Sequence, residues 1–367
     1  MMKKKFKISI CIVSMNRLHH LKQTLLQNII DNSDYQMLEY ILLDYNSNDG
    51  MEKWVKENFQ KYISDGILKY YRTVEPTQWN PSHAKNLAFN LAQGEILCNI
   101  WADYYAGPQF ATYVNEQFNE DENIVLTPIK SQRESLLCAA KPDVLAKVCV
   151  RTADFKAVNG FDEKMDRHGF EDHDFVNRLE LIGVKRTLIE DLSFLNFISH
   201  SDDERFEENA DDLKVYINYK SPFESEILFL YNNGDYKKAS IIDNYAAVSG
   251  RFVSSYIPNK SLFEYTVRTP GWQFGVWNEQ NDIIRLSGSR GFFARLVKTR
   301  INGHYGFQSK KGSIFYIIDD QQLLKELLTF DHFFYTRSIM EENMRKKVVV
   351  VNSEGYGQVR KFEICTK

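Results

Sequence analysis

Short apolar runs alternate with helical patterns over the first hundred residues, and this alternation constrains the fold more than any other feature. Apolar runs at 8–13, 38–43 and 67–71 each precede a stretch in which apolar residues recur at helical spacing. Pro81 suits the first position of the third helix. Strands that alternate with helices are typical of βαβ units. We therefore predict an α/β fold with a mostly parallel central sheet.

Three carboxylates occupy four consecutive positions where another helix is predicted to begin. Glu171, Asp172 and Asp174 precede Phe175 and Leu179, which recur at helical spacing. The unpaired N–H groups of a first helical turn favour negative charge, so an acidic helix start alone would explain the cluster. The alternative is that the carboxylates bind a cation or transfer protons.

Two further polar residues follow apolar runs and favour the second alternative. Asp103 follows the run 96–101, and His200 follows the run 194–198. Open α/β sheets bind ligands at the carboxyl ends of their strands. Carboxylate and imidazole ligands without thiolate suit Mn²⁺ or Mg²⁺, and such a cation commonly neutralises a diphosphate. The sequence therefore predicts a site for a metal ion and a nucleotide diphosphate, with a base nearby.

Composition argues against several other classes of protein. The 367 residues include 46 basic and 49 acidic side chains, so the net charge of -3 offers no general attraction to nucleic acid. Five cysteines without a C-x-x-C pair indicate reduced core residues of a cytosolic protein. No apolar stretch approaches the roughly 20 residues of a membrane helix. The apolar run that follows Lys3-Lys4-Lys5 is predicted to be a first strand rather than a signal peptide.

The second half of the chain has a different character. Residues 202–212 hold seven acidic side chains, which is typical of a linker or a mobile loop. Ser221-Pro222 is predicted to open a helical hairpin that breaks at Gly234 and reaches about residue 248. Beyond residue 250, aromatic and β-branched residues indicate a β-rich module, whose aromatic side chains form either its core or a sugar-stacking surface.

Several segments of the first two hundred residues resemble family 2 glycosyltransferases with the GT-A fold. The segments similar to the nucleotide-sugar half of that family are 10–17, 42–47, 85–86 with 94–96, and 102–103. The segments similar to the acceptor half of the β-1,4-galactosyltransferase and chondroitin-synthase type are 159–162, 169–179 and 199–201. The resemblance covers about residues 6–205 in the right order. It implies a GT-A domain at 1–205, an acidic linker and helical hairpin at 206–250, and a β-rich accessory module at 251–367.

The resemblance also implies a role for each candidate residue. Asp103 would be the last acid of a metal-binding D-x-D motif, and His200 would be the distal metal ligand. Asp172 would be the general base that deprotonates the acceptor hydroxyl, while Glu171 and Asp174 would orient the acceptor or brace the loop. The residues that would line the uridine pocket or lie near the base and diphosphate are Ser14, Asn16, Arg17, Asp44, Asn46, Lys85 and Asn86.

Three positions depart from the family pattern. Trp101 stands where the first acid of the D-x-D motif is expected. Phe197 stands where galactosyltransferases often have a methionine ligand, and His168 replaces the tryptophan before the Glu-Asp pair. The preference for a particular donor or acceptor sugar therefore does not carry over from the resemblance.

The activity that the resemblance implies is inverting, metal-dependent glycosyl transfer. A hexose or N-acetylhexosamine, of the galactose, GalNAc or GlcNAc type, would move from a UDP-sugar to a hydroxyl of a glycan or lipid-linked glycan. Mn²⁺ or Mg²⁺ is the expected cofactor. The expected setting is the synthesis of bacterial surface polysaccharide in the cytoplasm, with peripheral association at the inner face of the membrane and the oligomeric state left open.

Other functions compete with this interpretation. A nucleotidyltransferase, a P-loop protein or a dinucleotide-binding protein would be expected to carry a glycine-rich loop after the first strand, where this chain has Ser14-Met15-Asn16-Arg17. A glycosidase would use Asp103 with Asp172, at a carboxyl separation that decides the stereochemistry. A catalytically inactive UDP-sugar- or glycan-binding protein is a further alternative, suggested by Trp101 and Phe197.

Overall fold

The computed structural model describes most of the chain. The described residues are 4–76, 78–128, 147–198, 213–221, 224–242, 254–255, 264–265, 273–288, 293–301, 303–359 and 362–364. The chain divides into two compact units, of which the first comprises residues 1–199, 254–264 and 335–367. The second comprises residues 200–253 and 265–334. His200 and the acidic segment 202–212 lie outside the described residues.

The first unit is built on a mixed sheet. Its strands, in chain order, are β1 Ile8–Ser14, β2 Leu38–Tyr45, β3 Leu68–Thr73, β4 Ile96–Trp101, β5 Ile124–Thr127, β6 Val148–Arg151 and β7 Lys185–Leu188. They neighbour one another in the order β3-β2-β1-β4-β6-β5-β7. The pairs β1/β2, β1/β4, β2/β3 and β5/β7 are parallel, and only β6 runs antiparallel to its neighbours among these strands. The predicted mostly parallel sheet is therefore confirmed.

Helices cover both faces of this sheet. They are α1 Leu18–Asp31, α2 Met51–Asn58, α3 Gln60–Ser64, α4 Pro81–Leu91, α5 Phe110–Glu120, α6 Thr152–Ala157 and α7 Glu171–Leu181. The even-numbered isoleucines of β1 share one core with α1 and α5, whereas Cys11 and Val13 share a second core with α4 and α7. Because successive strand residues point to opposite faces, a strand that is buried on both faces has an uninterrupted apolar sequence.

The strand order places a ligand-binding edge at the ends of β1 and β4. The chain leaves β1 towards β2 on one side, and β4 lies on the other side of β1. Such a switch of direction opens a crevice at the carboxyl ends of parallel strands. Asn80 caps α4 by accepting a hydrogen bond from the His83 N–H, and Pro81 takes the first helical position as predicted.

The run 194–198 is not the buried strand that its composition predicts. Leu192–Leu195 forms a short 3₁₀ helix, and only a single bridge, between Tyr104 and Phe197, follows it. The side chain of Asp191 accepts a hydrogen bond from the Ser193 N–H and so favours a turn over an extended strand.

The second unit is a closed sheet of eight antiparallel strands. These strands are β8 Leu213–Ser221, β9 Glu224–Tyr231, β10 Asp235–Ile242, β13 Gln273–Gln280, β14 Ile283–Gly288, β15 Phe293–Ile301, β16 His304–Ser309 and β17 Ile314–Ile317. Between β10 and β13 in the chain, β11 Ser254–Ser255 and β12 Glu264–Tyr265 pair as a separate two-stranded sheet. Aromatic residues such as Tyr216 and Phe307 are buried in the core of the closed sheet, whereas Phe293 and Tyr305 are exposed.

The helical hairpin predicted within 206–250 is wrong, because the described residues there form β8, β9 and β10. Ile227 and Phe229 of β9 enter one core while Leu228 and Leu230 enter another, so the apolar run is a two-sided strand. Gly234 has a φ of 90° and closes a β-hairpin instead of breaking a helix.

The β-rich module predicted at 251–367 has different bounds in the structure at both ends. The closed sheet already begins at Leu213, and after β17 the chain forms a 26-residue helix, α8 Gln321–Lys346. The last strand, β18 Phe362–Ile364, pairs antiparallel with β3 of the first unit. Among the described residues, no helix combines the length and the apolar character that crossing a membrane requires.

Candidate active site

The loops that follow β1 and β2 are fastened to each other at the ligand-binding edge. The Asn16 N–H donates to Ser47 Oγ at 3.0 Å, and the Asn48 N–H donates to Asn16 Oδ1 at 2.8 Å. Asn16 and Asn46 have positive φ values of 54° and 60°, which asparagine adopts more readily than most residues. These asparagines therefore shape the two loops as well as lying at the predicted nucleotide pocket.

Asp44 holds the loop after β2 from inside the protein. Its Oδ2 accepts a hydrogen bond from the Tyr70 hydroxyl at 2.6 Å, and its Oδ1 accepts one from the Ser47 N–H at 2.8 Å. Burial raises the pKa of Asp44 and outweighs the hydrogen bonds from Tyr70 and Ser47 that lower it. Since Asp44 is fully buried and both oxygens have protein partners, its contacts in this structure are structural.

The other predicted nucleotide contacts are more open to a ligand. Arg17 and Asn46 are half-buried. Asn46 Nδ2 donates to the Pro76 carbonyl at 3.3 Å. Ser14 Oγ is buried without a hydrogen-bond partner among the described residues. A buried hydroxyl of this kind needs a partner, and a ligand or water can supply it.

Asp103 lies two residues beyond β4 and is half-buried. Its carbonyl oxygen accepts a hydrogen bond from the Ile198 N–H at 2.8 Å. The rings of Tyr104 and Phe197 stack beside it, with centroids 5.5 Å apart. Phe197, which stands where the family often has a methionine, therefore packs against the strand end. The metal-ligand roles of Asp103 and His200 stay predictions, since His200 lies outside the described residues.

Lys85 of α4 reaches the acidic start of α7. Its Nζ lies 2.6 Å from Asp172 Oδ1 and 2.9 Å from Glu171 Oε1. The same Nζ lies 4.8 Å from the ring centroid of Trp101 and 4.7 Å from that of Phe161. Lys85 thus contacts protein carboxylates and aromatic faces, and its predicted place near the base or diphosphate stays a prediction.

The charges in this cluster stabilise one another. Burial lowers the pKa of Lys85, but Asp172 and Glu171 outweigh burial and raise it above its ordinary value. Burial likewise raises the pKa of Glu171, but Lys85, assisted by His168, outweighs burial and holds it below its ordinary value. Opposite charges within hydrogen-bond distance favour the charged forms of both partners. Lys85 and Glu171 are therefore ionised together.

Asp174 and Asn86 form buried hydrogen bonds that hold α7 and the turn before it in place. Asp174 is fully buried, accepts a hydrogen bond from Arg178 Nε at 2.7 Å, and accepts another from Asn343 Nδ2 at 2.9 Å. Asn86 Nδ2 donates to the Phe161 carbonyl at 2.9 Å, and its Oδ1 accepts from the Phe161 N–H at 2.8 Å. Of the roles predicted for Asp174, bracing agrees with these contacts, and Asn86 braces the turn before α7.

An aromatic cluster of Tyr45, Trp79 and Trp101 lies at this edge, and the sequence analysis does not predict it. The ring centroids of Trp79 and Trp101 lie 5.8 Å apart, and those of Tyr45 and Trp79 lie 5.5 Å apart. The Tyr45 hydroxyl and His83 Nδ1 are 2.8 Å apart. The position of Trp79, two residues before Pro81 of α4 and so at the same sheet edge, was the available signal.

Among the described residues, Asp103 is the predicted ligand for a metal ion. The described residues contain no group of three histidine, cysteine, aspartate or glutamate side chains arranged to hold a metal ion. Asp103 offers one hard oxygen ligand, whereas Glu171 and Asp172 face Lys85. Mg²⁺ is commonly held by one or two carboxylates together with substrate phosphates. Asp103 has the carboxylate that such an arrangement uses.

Comparison with solved structures finds similar but distant proteins. One is the mannosyltransferase PcManGT from Pyrobaculum calidifontis in complex with GDP-Man and Mn²⁺, at 18% identity, 56% of this chain, 62% of that chain and a TM-score of 0.45. Another is S. aureus TarS 1-349 in complex with UDP, at 19% identity, 55% of this chain, 62% of that chain and a TM-score of 0.42. The chain thus spans less than two thirds of either, and TM-scores this low support no inference about function.

Family models match the chain more specifically, although no curated protein matches it. The model described as glycosyl transferase family 2 matches residues 9–162. The model described as the N-terminal domain of galactosyltransferase matches residues 147–201. The two matches follow each other in the order that the resemblance predicts. Residues 9–201 are therefore similar to glycosyl transferase family 2 and, in their second part, to galactosyltransferases, and this region has the GT-A fold.

Proposed function

We propose that the protein transfers a hexose or N-acetylhexosamine from a UDP-sugar to a glycan hydroxyl with inversion of configuration. The observation that carries this proposal is the pair Glu171 and Asp172 at the start of α7, which lies within the segment matched by the galactosyltransferase model and contacts Lys85 of α4. Asp172 has one oxygen on Lys85, and its side chain is 10% exposed, against 4% for Glu171. Asp172 is thus the carboxylate better placed to meet an acceptor.

In the proposed reaction Asp172 acts as the general base. The acceptor oxygen forms a bond to the anomeric carbon as its proton passes to Asp172, and the bond between that carbon and the UDP oxygen breaks. The electron pair of the broken bond leaves with UDP. A positioned general base contributes a rate factor on the order of 10²–10⁴. A single displacement of this kind inverts the anomeric configuration.

The donor is proposed to bind at the ends of β1, β2 and β4. Ser14, Asn16, Arg17 and Asn46 would meet the nucleotide. Asn16, Arg17 and Asn46 are half-buried at this edge, and the buried hydroxyl of Ser14 has no hydrogen-bond partner among the described residues. Asp103 would hold Mn²⁺ or Mg²⁺ together with the diphosphate, with His200 as the second ligand that the sequence predicts. Such a cation neutralises the leaving group, since unit charges 4 Å apart interact by about 4 kcal/mol at an effective dielectric of 20.

The biological setting forms part of the proposal. We place the reaction in the cytoplasm, in bacterial surface-polysaccharide synthesis, with a glycan or lipid-linked glycan as the acceptor. Cys11, Cys98 and Cys149 are free and buried, which fits a reducing compartment. Peripheral association with the inner face of the membrane would bring the enzyme to a lipid-linked acceptor.

A second candidate function is a catalytically inactive protein that binds UDP-sugars or glycans. Two observations favour it: Trp101 replaces an expected acid and contacts Lys85, and Phe197 replaces an expected methionine and stacks on Tyr104. Both replacements pack against the protein at positions where the family places polar or sulfur ligands. The site would then retain a nucleotide edge without complete metal coordination.

A UDP-release screen separates the two functions. The protein is incubated with Mn²⁺ and, in turn, UDP-galactose, UDP-GalNAc, UDP-glucose and UDP-GlcNAc, and free UDP is measured with and without EDTA. An enzyme releases UDP from a preferred donor in the presence of Mn²⁺, because water replaces the missing acceptor slowly. Thermal stabilisation by UDP and Mn²⁺ without release from any donor would support the inactive binding protein instead.

A further inference from the structure

Lys85 is charged and completely enclosed by protein. Its side chain is 0% exposed, and its ammonium group has contacts with two carboxylates and two aromatic faces. A buried ammonium is tolerated only where paired charges and hydrogen bonds replace its hydration. The two carboxylates and the rings of Trp101 and Phe161 supply that replacement. An ammonium group so enclosed has little freedom to reach a nucleotide.

The helix that carries Lys85 is fastened to the turn before α7. Asn80 Nδ2 donates to the Glu163 carbonyl at 3.3 Å, and Ser82 Oγ donates to the Met165 carbonyl at 3.0 Å. Asn86, next to Lys85, forms the pair of hydrogen bonds with the Phe161 backbone described above. These contacts on both sides of Lys85 fix its distance from the acidic start of α7.

The cluster has more negative than positive charge. Glu171 and Asp172 are adjacent carboxylates, and two like charges at this distance disfavour each other's ionised form unless a cation lies between them. Lys85 Nζ contacts both. The other charged or titratable groups around them are His168, which acts on Glu171, the buried His173, and Asp174, which is paired with Arg178.

We propose that Lys85 is a positioning residue for the general base: its ammonium group holds Oδ1 of Asp172 and so fixes the orientation of the carboxylate. This inference rests on the proposed role of Asp172. It replaces the nucleotide contact that the family resemblance implies for Lys85. The two roles differ in what they control, because a base-positioning lysine affects turnover and its pH dependence, whereas a diphosphate ligand affects the affinity for the donor.

The pH dependence of UDP release distinguishes these roles. Lys85→Met, Lys85→Arg and the control Lys69→Met are assayed with the preferred UDP-sugar and Mn²⁺ between pH 5 and 9. Lys69 also pairs with a buried carboxylate, Glu39 at 2.7 Å, but lies on β3 outside the cluster.

For Lys85→Met we expect kcat to fall and the acidic limb of its pH profile to move upward by about 1–3 units, the usual effect of removing a nearby opposite charge. Lys85→Arg should return the acidic limb part of the way to its wild-type pH, and Lys69→Met should keep the wild-type pH profile. An unchanged limb together with a raised KM for the UDP-sugar would overturn the proposal and assign Lys85 to the diphosphate.

Stability provides a readout that does not depend on turnover. Without Lys85, burial should raise the pKa of Glu171 in the folded protein, so stability is retained at low pH and lost as the pH rises through that pKa. The melting temperature of Lys85→Met should therefore drop further below that of the wild type at pH 8 than at pH 5. A deficit of the same size at both pH values would mean that Lys85 only fills space, and the proposal would fail.

Failure of this inference differs from failure of the proposed function. If Asp172→Asn keeps near-normal turnover, Asp172 is not the base and the proposed mechanism falls with it. If Asp172→Asn is inactive but Lys85→Met keeps the wild-type acidic limb, the mechanism stands and only the role of Lys85 is wrong.

Discussion

At the scale of single residues, the acidic start of α7 combines side chains with different tasks. Asp174 is fully buried and paired with Arg178, whereas the side chain of Asp172 is 10% exposed and shares Lys85 with Glu171. One sequence motif therefore contains a structural ion pair and a proposed catalytic group only two positions apart. Burial and partner identity separate them, and neither is visible in the motif itself.

Neutralising Asp174 should destabilise the protein. Asp174→Asn leaves the guanidinium of Arg178 buried without its counter-charge, and breaking a buried pair typically costs about 3–5 kcal/mol. Urea unfolding measures the loss. Asp121→Asn is the matched control, since its pair with Lys185 is exposed and is screened by solvent. Similar losses in both variants would contradict the structural role of Asp174.

Lys147 is a second buried lysine and predicts a pH dependence of stability. Its ammonium donates to the carbonyl oxygens of Tyr105, Ala106 and Phe194, and burial lowers its pKa to about 7. The unfolded chain keeps an ordinary lysine pKa of about 10.4, so between those values it binds more protons than the folded protein, and stability rises with pH.

Lys147→Met should remove this rise. The slope contributed by one such group is at most about 1.4 kcal/mol per pH unit. Unfolding by urea at pH 7 and pH 9 measures it in the wild type and the variant. A wild-type slope that persists in the variant would show that other groups cause it.

At the scale of secondary-structure elements, the contact between α4 and the turn before α7 builds the site. Gly160 lies in this turn with a φ of +72°, and a Cβ added there would lie 2.3 Å from Asn86 Oδ1. Asn86 cannot move freely, because it holds both the N–H and the carbonyl of Phe161. The close approach of backbone and side chain here therefore requires glycine.

Gly160→Ala should destabilise more than a glycine substitution that meets only backbone strain. Gly183 is the matched control, since its φ is +89° but a Cβ there has no heavy atom within 4 Å. A non-glycine residue in such a conformation costs about 1–3 kcal/mol, and the contact with Asn86 should add to that cost only at Gly160. Thermal or urea unfolding compares the two variants. Equal losses of stability would mean that the side chain of Asn86 moves away from the new Cβ without an energetic cost.

At the scale of the whole molecule, donor binding and folding should be linked. A ligand that binds only the folded state stabilises it by about 2.7 kcal/mol at a hundred times its Kd. UDP with Mn²⁺ should therefore raise the melting temperature more than UDP alone, and EDTA should remove the difference. The same shift with and without Mn²⁺ would contradict metal-assisted binding of the diphosphate.

The first unit was largely predictable because its strands and helices are encoded locally. Runs such as 8–13 are buried on both faces, and the spacing of α1 leaves few alternatives. Gly234 was misassigned because a glycine after asparagine suits both the end of a helix and a β-hairpin turn. The contact of Lys85 with Asp172 could not be predicted, because the two residues are 87 positions apart and only tertiary packing joins them. His200 lies outside the described residues, so its role stays a prediction.

The most direct test of the account is the turnover of Asp172→Asn in the UDP-release assay with Mn²⁺ and the preferred donor. We predict that kcat falls by a factor on the order of 10²–10⁴, because a general base has been removed, while the KM for the UDP-sugar changes little. Near-normal turnover in a folded variant would show that Asp172 does not deprotonate the nucleophile, which in this assay is the water that replaces the acceptor.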